Sequence, residues 1–318
     1  LPNYTRVSEF VIVGFPSLQP EYFHLVAWFF FFLYLTTVVG NFLLVVVFAL
    51  ERSLQKPMYI IMVSLALADI GMATVILPKI IARYWWNDGA LGFHTCLFQV
   101  QMIHYFGALS SLISMFMALD RYLAVCFPLR WQFIEIHIHL LNILPHLCHS
   151  NTVNFSIMPF CGSSQIIHAF CDTMSVIPLV CGDPSRQIRD AFTSAMTVLF
   201  VPLSFIIFSY ICIIITVFYY SPQGRAKTFS TCATQGCIIS IYYIPRFIVF
   251  STPYIPNLKM TPDKHIVTTL FYSLLPPLIN PFIYCLRTKE IKQILKRWVQ
   301  RRRDITPTKP AVAVTVTK

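Results

Sequence analysis

The stretch "MALDRYLAVCFPLRW", residues 117–131, places an acid and a base side by side at the end of a long apolar segment. The segment that leads into it, 97–119, contains no Asp, Glu, Lys or Arg. About 20 mostly apolar residues are enough to cross a lipid bilayer as a helix. Asp120 and Arg121 therefore stand where such a helix would leave the hydrocarbon. The stretch predicts a membrane-spanning helix that ends in a pair of opposite charges.

The composition extends this interpretation to most of the chain. Of the 318 residues, 56% are hydrophobic and 12% are charged, whereas soluble domains carry about 25% charged residues. Each span must be a helix, because lipid offers no hydrogen-bond partner to exposed backbone groups. The clear spans lie at roughly 25–50, 59–80, 97–119, 192–219, 231–252 and 264–286.

The distribution of charge predicts how these spans are oriented. The net charge is +11, and the tail 287–318 carries ten Lys/Arg against two acids. Positive charge beside a span marks the cytoplasmic side. A basic tail that follows a span favours attraction to membrane lipid over nucleic-acid binding. The sequon "NYT" makes Asn3 a glycosylation site, which requires an extracellular location. We therefore expect a multi-pass protein of the plasma membrane with its N-terminus outside.

An outside N-terminus and an inside C-terminus require an odd number of spans, so a seventh must accompany the six. We expect it at about 131–153, although Glu135, Pro145 and four histidines interrupt this segment. The fold class is then an all-α membrane protein, a bundle of seven transmembrane helices. Its predicted parts are an extracellular N-terminus at 1–24, the bundle at 25–286 with this atypical fourth span, and a cytoplasmic segment at 287–318.

Few polar side chains lie inside the spans, and each is a functional candidate because polar groups are costly in lipid. Asn41, Asp69 and Asn280 could meet as one buried polar cluster, with Ser110 nearby. Two interpretations stay open. The cluster could be a hydrogen-bonded structural element, or it could be a cation site that holds Na⁺ near Asp69. No other cofactor is expected.

One face of the third span is a candidate ligand pocket. His104, Gly107, Ala108 and Ser111 occur at positions i, i+3, i+4 and i+7, which places them on one side of a helix. A wide polar side chain beside small residues could form the floor of a pocket. Small residues also favour close packing between membrane helices, and the sequence does not decide between the two interpretations.

The remaining reactive residues do not predict an enzyme. The cysteines at 96, 161, 171 and 181 lie at or beyond the predicted outer face, where thiols are oxidised, and they allow three pairings. No Gly-rich phosphate loop, GxSxG or HExxH motif occurs, and "HIH" at 137–139 and "HLCH" at 146–149 lack a second cluster. Asp69 and Asp120 should lie at different depths, which argues against a carboxylate dyad. We expect no catalytic residue and no metal site.

Six motifs follow one another along nearly the whole chain. They are "GN" at 40–41, "LQKPMYIIMVSLALAD" at 54–69, "MALDRYLAVCFPLRW" at 117–131, "FCGSSQIIHAFCD" at 160–172, "GRAKTFSTC" at 224–232 and "LFYSLLPPLINPFIYCLRTKEIK" at 270–292. Together they resemble the motifs of a rhodopsin-like (class A) G-protein-coupled receptor, and specifically those of an olfactory (odorant) receptor of the fish type. Asp-Arg-Tyr alone would be modest evidence, whereas the set is specific to odorant receptors.

The resemblance implies a role for the opening stretch. In such receptors the triplet Asp120, Arg121 and Tyr122 is a switch at the cytoplasmic end of the third helix. Arg121 pairs with Asp120 at rest and contacts the G protein once the sixth helix has swung outward. The plain alternative is a pair of charged side chains that reach the membrane interface. Asn280, Pro281 and Tyr284 match a second switch motif of the family.

The resemblance also implies disulfides Cys96–Cys171 and Cys161–Cys181, and a short amphipathic helix along the inner membrane after residue 287. Tyr243 matches an aromatic pocket position on the sixth helix. Two departures from the family pattern stand out. The fourth span is shorter by about two helical turns and lacks a central tryptophan, and Gln235 replaces a usual histidine.

The function implied is that of a receptor that binds a small odorant and activates a heterotrimeric G protein of the stimulatory, olfactory type. It does no covalent chemistry. The alternatives are a membrane transporter or channel, or a non-functional receptor remnant because of the fourth span. No repeat with matching broken helices, as in an inverted-repeat transporter, is visible.

Arg246 is the remaining candidate pocket residue. It follows Pro245 in the outer half of the sixth span, one helical turn above Tyr242 and Tyr243. A guanidinium in lipid must find a partner or reach the interface. It could extend to the outer head groups, bind a backbone carbonyl freed by Pro245, or face the pocket and pair with an anionic ligand.

Overall fold

The computed structural model describes residues 7–51, 54, 57–127, 160, 164–220, 225–252, 255, 260–287 and 289–305. Six long helices in this part of the chain correspond to the six clear spans: α1 Phe23–Leu50, α2 Pro57–Trp85, α3 Phe93–Cys126, α5 Ser185–Tyr220, α6 Arg225–Ser251 and α7 Pro262–Arg287. The helix α8, Lys289–Ile305, follows α7 directly, and α4, Thr173–Val176, is one turn in the loop before α5. The expected fourth span, 131–153, lies outside the described residues.

The long helices form because lipid offers no hydrogen-bond partner to the backbone, so the N–H and C=O groups of these apolar segments must pair within a helix. Five of them carry apolar windows long enough to cross a membrane, and α6 contributes a shorter apolar stretch, Gly236–Ser251. Prolines lie inside α2, α5, α6 and α7, at Pro78, Pro202, Pro245, Pro276, Pro277 and Pro281. Each proline removes one backbone hydrogen bond, which makes these helices the ones able to bend.

Helix α3 lies at the centre of the bundle, between α2 on one side and α5 on the other, while α7 contacts α1, α2 and α6. The largest buried cluster joins α1, α2, α3 and α7 around Ile76, Leu77 and Ile80. Large apolar side chains such as Phe29, Phe32 and Phe208 remain exposed. This pattern is expected where the surrounding solvent is hydrocarbon.

A small sheet closes one end of the bundle, called here the sheet end. Strand β1, Glu9–Ile12, pairs antiparallel with β2, Ala90–Gly92, and parallel with β3, Gln165–Ile166, so the order is β2-β1-β3. Phe10 is fully buried against the disulfide between Cys96 and Cys171. Nothing in the sequence of 1–24 indicated this sheet, and the segment was expected only as an extracellular N-terminus.

The chain leaves β1 through Gly14, which adopts a left-handed conformation with φ of 79°. A Cβ at this position would also stand inside van der Waals contact of the Tyr84 hydroxyl on α2. The backbone N–H of Phe15 donates a hydrogen bond to that hydroxyl, at 2.8 Å. The turn therefore needs a glycine, and it fixes the N-terminal segment to the end of α2.

The helix α8 has the amphipathic character expected of the segment after 287. Ile291 and Ile294 are buried in a cluster with Leu44 and Val47 of α1, and the indole N–H of Trp298 donates to the Glu51 carboxylate at 3.2 Å. Its remaining surface is rich in Lys and Arg. Such a helix is suited to lie along an anionic membrane surface.

Candidate functional site

A cavity runs through the interior of the bundle between α2, α3, α5, α6 and α7. Its empty volume is about 880 Å³, which includes space open to solvent. The wall is mixed, with aliphatic, hydroxyl, amide and charged side chains. Its polar members are Asp69, Ser110, Ser114, Tyr210, Tyr242, Tyr243, Arg246, Tyr272, Ser273, Asn280 and Tyr284.

Arg246 of α6 lies in the wall of this cavity toward the sheet end. Its Nη1 donates to the Tyr242 hydroxyl at 2.7 Å, and that hydroxyl donates to the backbone carbonyl of Gly107 on α3 at 3.0 Å. The guanidinium carbon lies 5.0 Å from the centre of the Tyr242 ring and 5.4 Å from that of Tyr272. Both distances are within cation–π range.

The predicted face of α3 packs beside the cavity, and none of His104, Gly107, Ala108 and Ser111 is among the residues that line it. Gly107 borders Arg246, because a Cβ there would stand 3.5 Å from Cζ of Arg246 and closer still to its Nη2. The Ser111 hydroxyl makes a hydrogen bond of 3.0 Å with the Tyr243 hydroxyl, so it holds α3 to α6. Ala108 packs in a buried cluster with residues of α2 and α3. These contacts agree with the packing interpretation, and the pocket role of this face stays a prediction.

His104 was expected beside a ligand, but it is bound by the loop before α5. Its Nε2 lies 2.6 Å from the Thr173 hydroxyl. A second clamp holds the same loop, since the Gln99 amide donates to the Val75 carbonyl at 2.8 Å and accepts from the backbone N–H of Cys171 at 2.9 Å. Gln99 was not among the predicted site residues, although an uncharged polar residue within an apolar span could have indicated it.

The loop is also attached covalently to α3. Cys96 and Cys171 form the predicted disulfide, with their Cα atoms 5.5 Å apart. Cys181 is disulfide-bonded as well, and Cys161, its expected partner, lies outside the described residues. Asn3, the expected glycosylation site, also lies outside them. The loop is thus held against α3 at the sheet end.

The polar cluster inside the spans forms only in part. The Asn280 side-chain amide donates to the Asp69 carboxylate at 2.8 Å, and Ser110 lines the same cavity as both. The expectation for Asn41 was wrong. Its amide donates to the carbonyls of Thr37 and Pro277, each at 2.9 Å, so Asn41 ties α1 to α7, and among the described residues no hydrogen bond joins it to Asp69.

At the opposite end of the bundle, Arg121 contacts a neighbouring helix. Its Nη1 donates to the Tyr210 hydroxyl of α5 at 3.0 Å. Arg121 also acts electrostatically on the neighbouring Asp120 carboxyl group, and the predicted pairing of these two side chains stays a prediction. Tyr210 also lines the cavity, a role that the sequence analysis missed.

Of the other switch residues, Asn280 and Tyr284 line the cavity. The Tyr284 hydroxyl approaches the sulfur of Met117 at 3.5 Å. Pro281 packs against α1, because a Cβ on Gly40 would stand 3.2 Å from its ring. The Tyr122 ring packs on Phe127 and Phe208. Tyr122 is therefore attached to α5 and is separate from the Asn280–Tyr284 group.

The part of the chain that the structure describes contains no group of three or more His, Cys, Asp or Glu residues able to hold a metal ion. The histidine pairs at 137–139 and 146–149 lie outside that part. The site therefore consists of one cavity in the bundle interior. The guanidinium of Arg246 lines it near the sheet end, and hydroxyl and amide groups line it toward the opposite end.

A solved structure shares this architecture. That of squid rhodopsin superposes with a TM-score of 0.70, covering 96% of this chain and 94% of that chain at 14% sequence identity. The fold is that of a rhodopsin-like G-protein-coupled receptor. A family model described as "Olfactory receptor" matches residues 30–302, and the chain belongs to the olfactory receptor family.

Curated relatives agree with this assignment. Human olfactory receptor 10A4 is 33% identical over 308 residues, covering 94% of this chain and 96% of the relative. Rat olfactory receptor-like protein I9 is 31% identical over 303 residues, covering 93% and 95%. Family membership confirms that the protein is a multi-pass membrane receptor and not an enzyme. The narrower fish-type assignment stays a prediction.

Proposed function

We propose that the protein binds a small odorant from the extracellular side and activates a heterotrimeric G protein of the stimulatory, olfactory type. One observation carries the proposal. A single cavity is lined by Arg246 near the sheet end and by Asn280, Tyr284 and Tyr210 toward the other end. Tyr210 in turn binds Arg121. A molecule that alters the cavity would therefore act directly on the partner of the switch arginine.

The mechanism follows from the alternatives open to Arg121. A charged side chain at the membrane edge can exchange one hydrogen-bond partner for another when a helix moves by a few ångströms. The tyrosine hydroxyl holds it in the present conformation, and the proposed G protein would offer a competing acceptor. Ligand binding favours whichever conformation it contacts better, so a differential affinity for the two conformations sets the response.

The experiment compares Arg121→Ala with Arg186→Ala in cells that express the full chain and a stimulatory olfactory-type G protein. Arg186 is a matched control because its side chain is 81% exposed and its ion pair with Asp190 lies on the surface. Arg121→Ala should abolish ligand-dependent cAMP production at equal surface density, while ligand-dependent thermal stabilisation of the receptor persists. Normal signalling by Arg121→Ala would refute the mechanism. Ligand-dependent flux of a substrate without cAMP would favour a transporter.

The proposed location is the plasma membrane with the N-terminus outside. The basic composition of 287–318 and the sequon at Asn3 support this orientation. An epitope tag placed before residue 1 should be accessible to antibody on intact cells, and a tag after residue 318 should require permeabilisation. The reverse pattern would contradict the proposed orientation. The remaining partner in this arrangement is membrane lipid rather than nucleic acid.

A sodium ion near Asp69 is the second part of the proposal. The donor set fits, because the Asp69 carboxylate and the Ser110 side chain border the same cavity and oxygen ligands suit hard cations. Replacing NaCl by choline chloride should lower the thermal stability of the wild type. The salt effect should be absent in Asp69→Asn, and an equal effect in that variant would exclude the site.

A further inference from the structure

We infer that Arg246 is an anion-recognition residue, and that the ligand of this receptor is a small organic carboxylate with an apolar tail. The inference rests on the proposed receptor function and names the chemical class of the ligand. It starts from a cation in the membrane-embedded part of the bundle, where charged side chains are rare and costly.

Within the part of the chain that the structure describes, no acidic side chain forms an ion pair with the guanidinium of Arg246. Among the described residues the ion pairs are Lys79–Asp88 and Arg186–Asp190, and neither involves Arg246. A guanidinium has five N–H donors, and its recorded hydrogen bond uses Nη1 toward Tyr242. A cation in such surroundings is costly unless it is paired and hydrogen-bonded. The site therefore has an unfilled preference for an anion.

Surrounding groups fix the guanidinium in place while leaving it accessible from the cavity. Tyr242 orients Nη1, and the rings of Tyr242 and Tyr272 lie beside the charge. Gly107 permits the close approach to α3, since any larger residue would overlap Nη2. Arg246 is partly exposed, and it lines the cavity. A fixed planar fork matches the geometry of a carboxylate.

The rest of the cavity suits an aliphatic tail. Met72, Ile206 and Ile239 line it alongside Arg246, and the terminal methyl of Met72 lies near the same Gly107 position that borders the guanidinium. Apolar surface buried there stabilises binding by about 25 cal/mol per Å². A carboxylate at Arg246 with its chain along these residues would satisfy both the charge and the apolar walls.

The two other interpretations of Arg246 do not match its contacts. A side chain that extended to the head groups would not border α3, whereas Nη2 of Arg246 lies against Gly107. A structural bond to the carbonyl that Pro245 frees would involve the preceding turn of α6, whereas the recorded bond is to the Tyr242 hydroxyl. The guanidinium is directed toward α3 and the cavity.

The experiment uses the full receptor and three straight-chain acids, butanoate, hexanoate and octanoate, with their methyl esters. Two readouts are taken: the thermal stability of the purified receptor with each compound, and cAMP production in cells at equal surface density. The acids should stabilise and activate the wild type. Arg246→Gln should raise the half-maximal acid concentration by about 100-fold, the scale expected when one partner of a buried charge pair is removed. Its response to the esters should change less than about threefold.

Two further variants separate recognition from folding. Gly107→Ala keeps the charge but displaces the guanidinium, so it should weaken the acids and spare the esters. Arg246→Lys keeps the charge without the planar fork and should give an intermediate loss. If Arg246→Gln folds poorly, Gly107→Ala still tests the inference. Equal losses for acids and esters in both variants would overturn it.

The two readouts also separate this inference from the proposed function. Thermal stabilisation by acids without cAMP production would support carboxylate recognition and contradict the signalling proposal. Activation by esters but not by acids would support signalling and overturn carboxylate recognition. The absence of any acid effect on the wild type would overturn it as well. Stabilisation of the same size by sodium chloride and sodium hexanoate at equal ionic strength would show an inorganic anion site and would likewise overturn the organic ligand.

Discussion

Gly71 of α2 provides a direct test of the packing between α2 and α3. A Cβ at this position would stand 2.9 Å from Cε2 of Phe106 and closer still to its Cζ and Cε1. Carbon atoms at rest lie about 3.5–4.0 Å apart. The Gly71→Ala variant therefore forces the Phe106 ring back by about 1 Å or more, in a bundle where the ring already packs against the largest buried cluster.

Gly236 of α6 is the matched control. It is also a helical glycine, but a Cβ there meets nothing within 4 Å. Replacing a helical glycine by alanine stabilises a helix by about 1 kcal/mol, and this gain applies to both positions. Overpacking costs about 1–3 kcal/mol and applies to Gly71 alone. The two variants should therefore differ by about 1–3 kcal/mol, with Gly71→Ala the less stable.

The assay is the apparent melting temperature of the purified receptor at one fixed heating rate. Gly236→Ala should match or exceed the wild type, whereas Gly71→Ala should fall below Gly236→Ala by a few degrees. Adding Phe106→Leu to Gly71→Ala should recover part of the loss, because a shorter side chain leaves room for the new methyl group. Equal melting temperatures for the two alanine variants, or a double variant no better than Gly71→Ala, would refute the packing described for α2 and α3.

Three further outcomes are expected. Replacing Cys96 or Cys171 by serine breaks a disulfide between residues that are 75 positions apart. This should lower the free energy of unfolding by up to about 4 kcal/mol. Surface expression should fall equally in the two single variants, and the double variant should show no further decrease. Asn280→Ala removes the amide that binds Asp69 and should destabilise by about 1–3 kcal/mol, measured by melting temperature. Burial lowers the pKa of His168 from 6.5 to about 4, so the unfolded chain takes up this proton first and stability should decrease as the pH falls from about 6.5 to about 4. The decrease should be smaller in His168→Gln, by up to about 3 kcal/mol, and an identical acid profile would exclude this group.

The six clear spans were predictable because lipid allows a long apolar segment only one conformation. The ends of the helices were not predictable, because a search for apolar residues stops at the first polar residues, whereas the helix can continue. Helix α5 starts at Ser185, before the predicted 192, and its first turns include Arg186 and Asp190. Helix α3 continues to Cys126, beyond Asp120 and Arg121. Hydrogen bonding within a helix does not stop at the membrane surface, so only the structure sets these limits.

The pairing of individual side chains was less predictable than the helices. The Cys96–Cys171 disulfide came from the motif pattern, because four cysteines allow three pairings. The sequence indicated Asp120 as a neighbour of Arg121, but it gave no sign of the hydrogen bond to Tyr210, 89 positions away. The Asn41 amide donates to the carbonyl of Pro277. Nothing in the sequence around Asn41 indicated this partner. Such choices depend on how closely two helices approach, which the composition of each helix does not specify.

Strand β1 also has a consequence for the order of assembly during biosynthesis. Val11 pairs with Ala90 and with Gln165, which are 79 and 154 positions later in the chain. At a synthesis rate of about 5–20 residues per second, roughly 8–30 s pass between the emergence of β1 and that of β3. During this interval the strand has unpaired edges, which are prone to wrong pairing. A chaperone that binds residues 9–12 during this interval should therefore change the time that the protein needs to mature, although it contacts no membrane span.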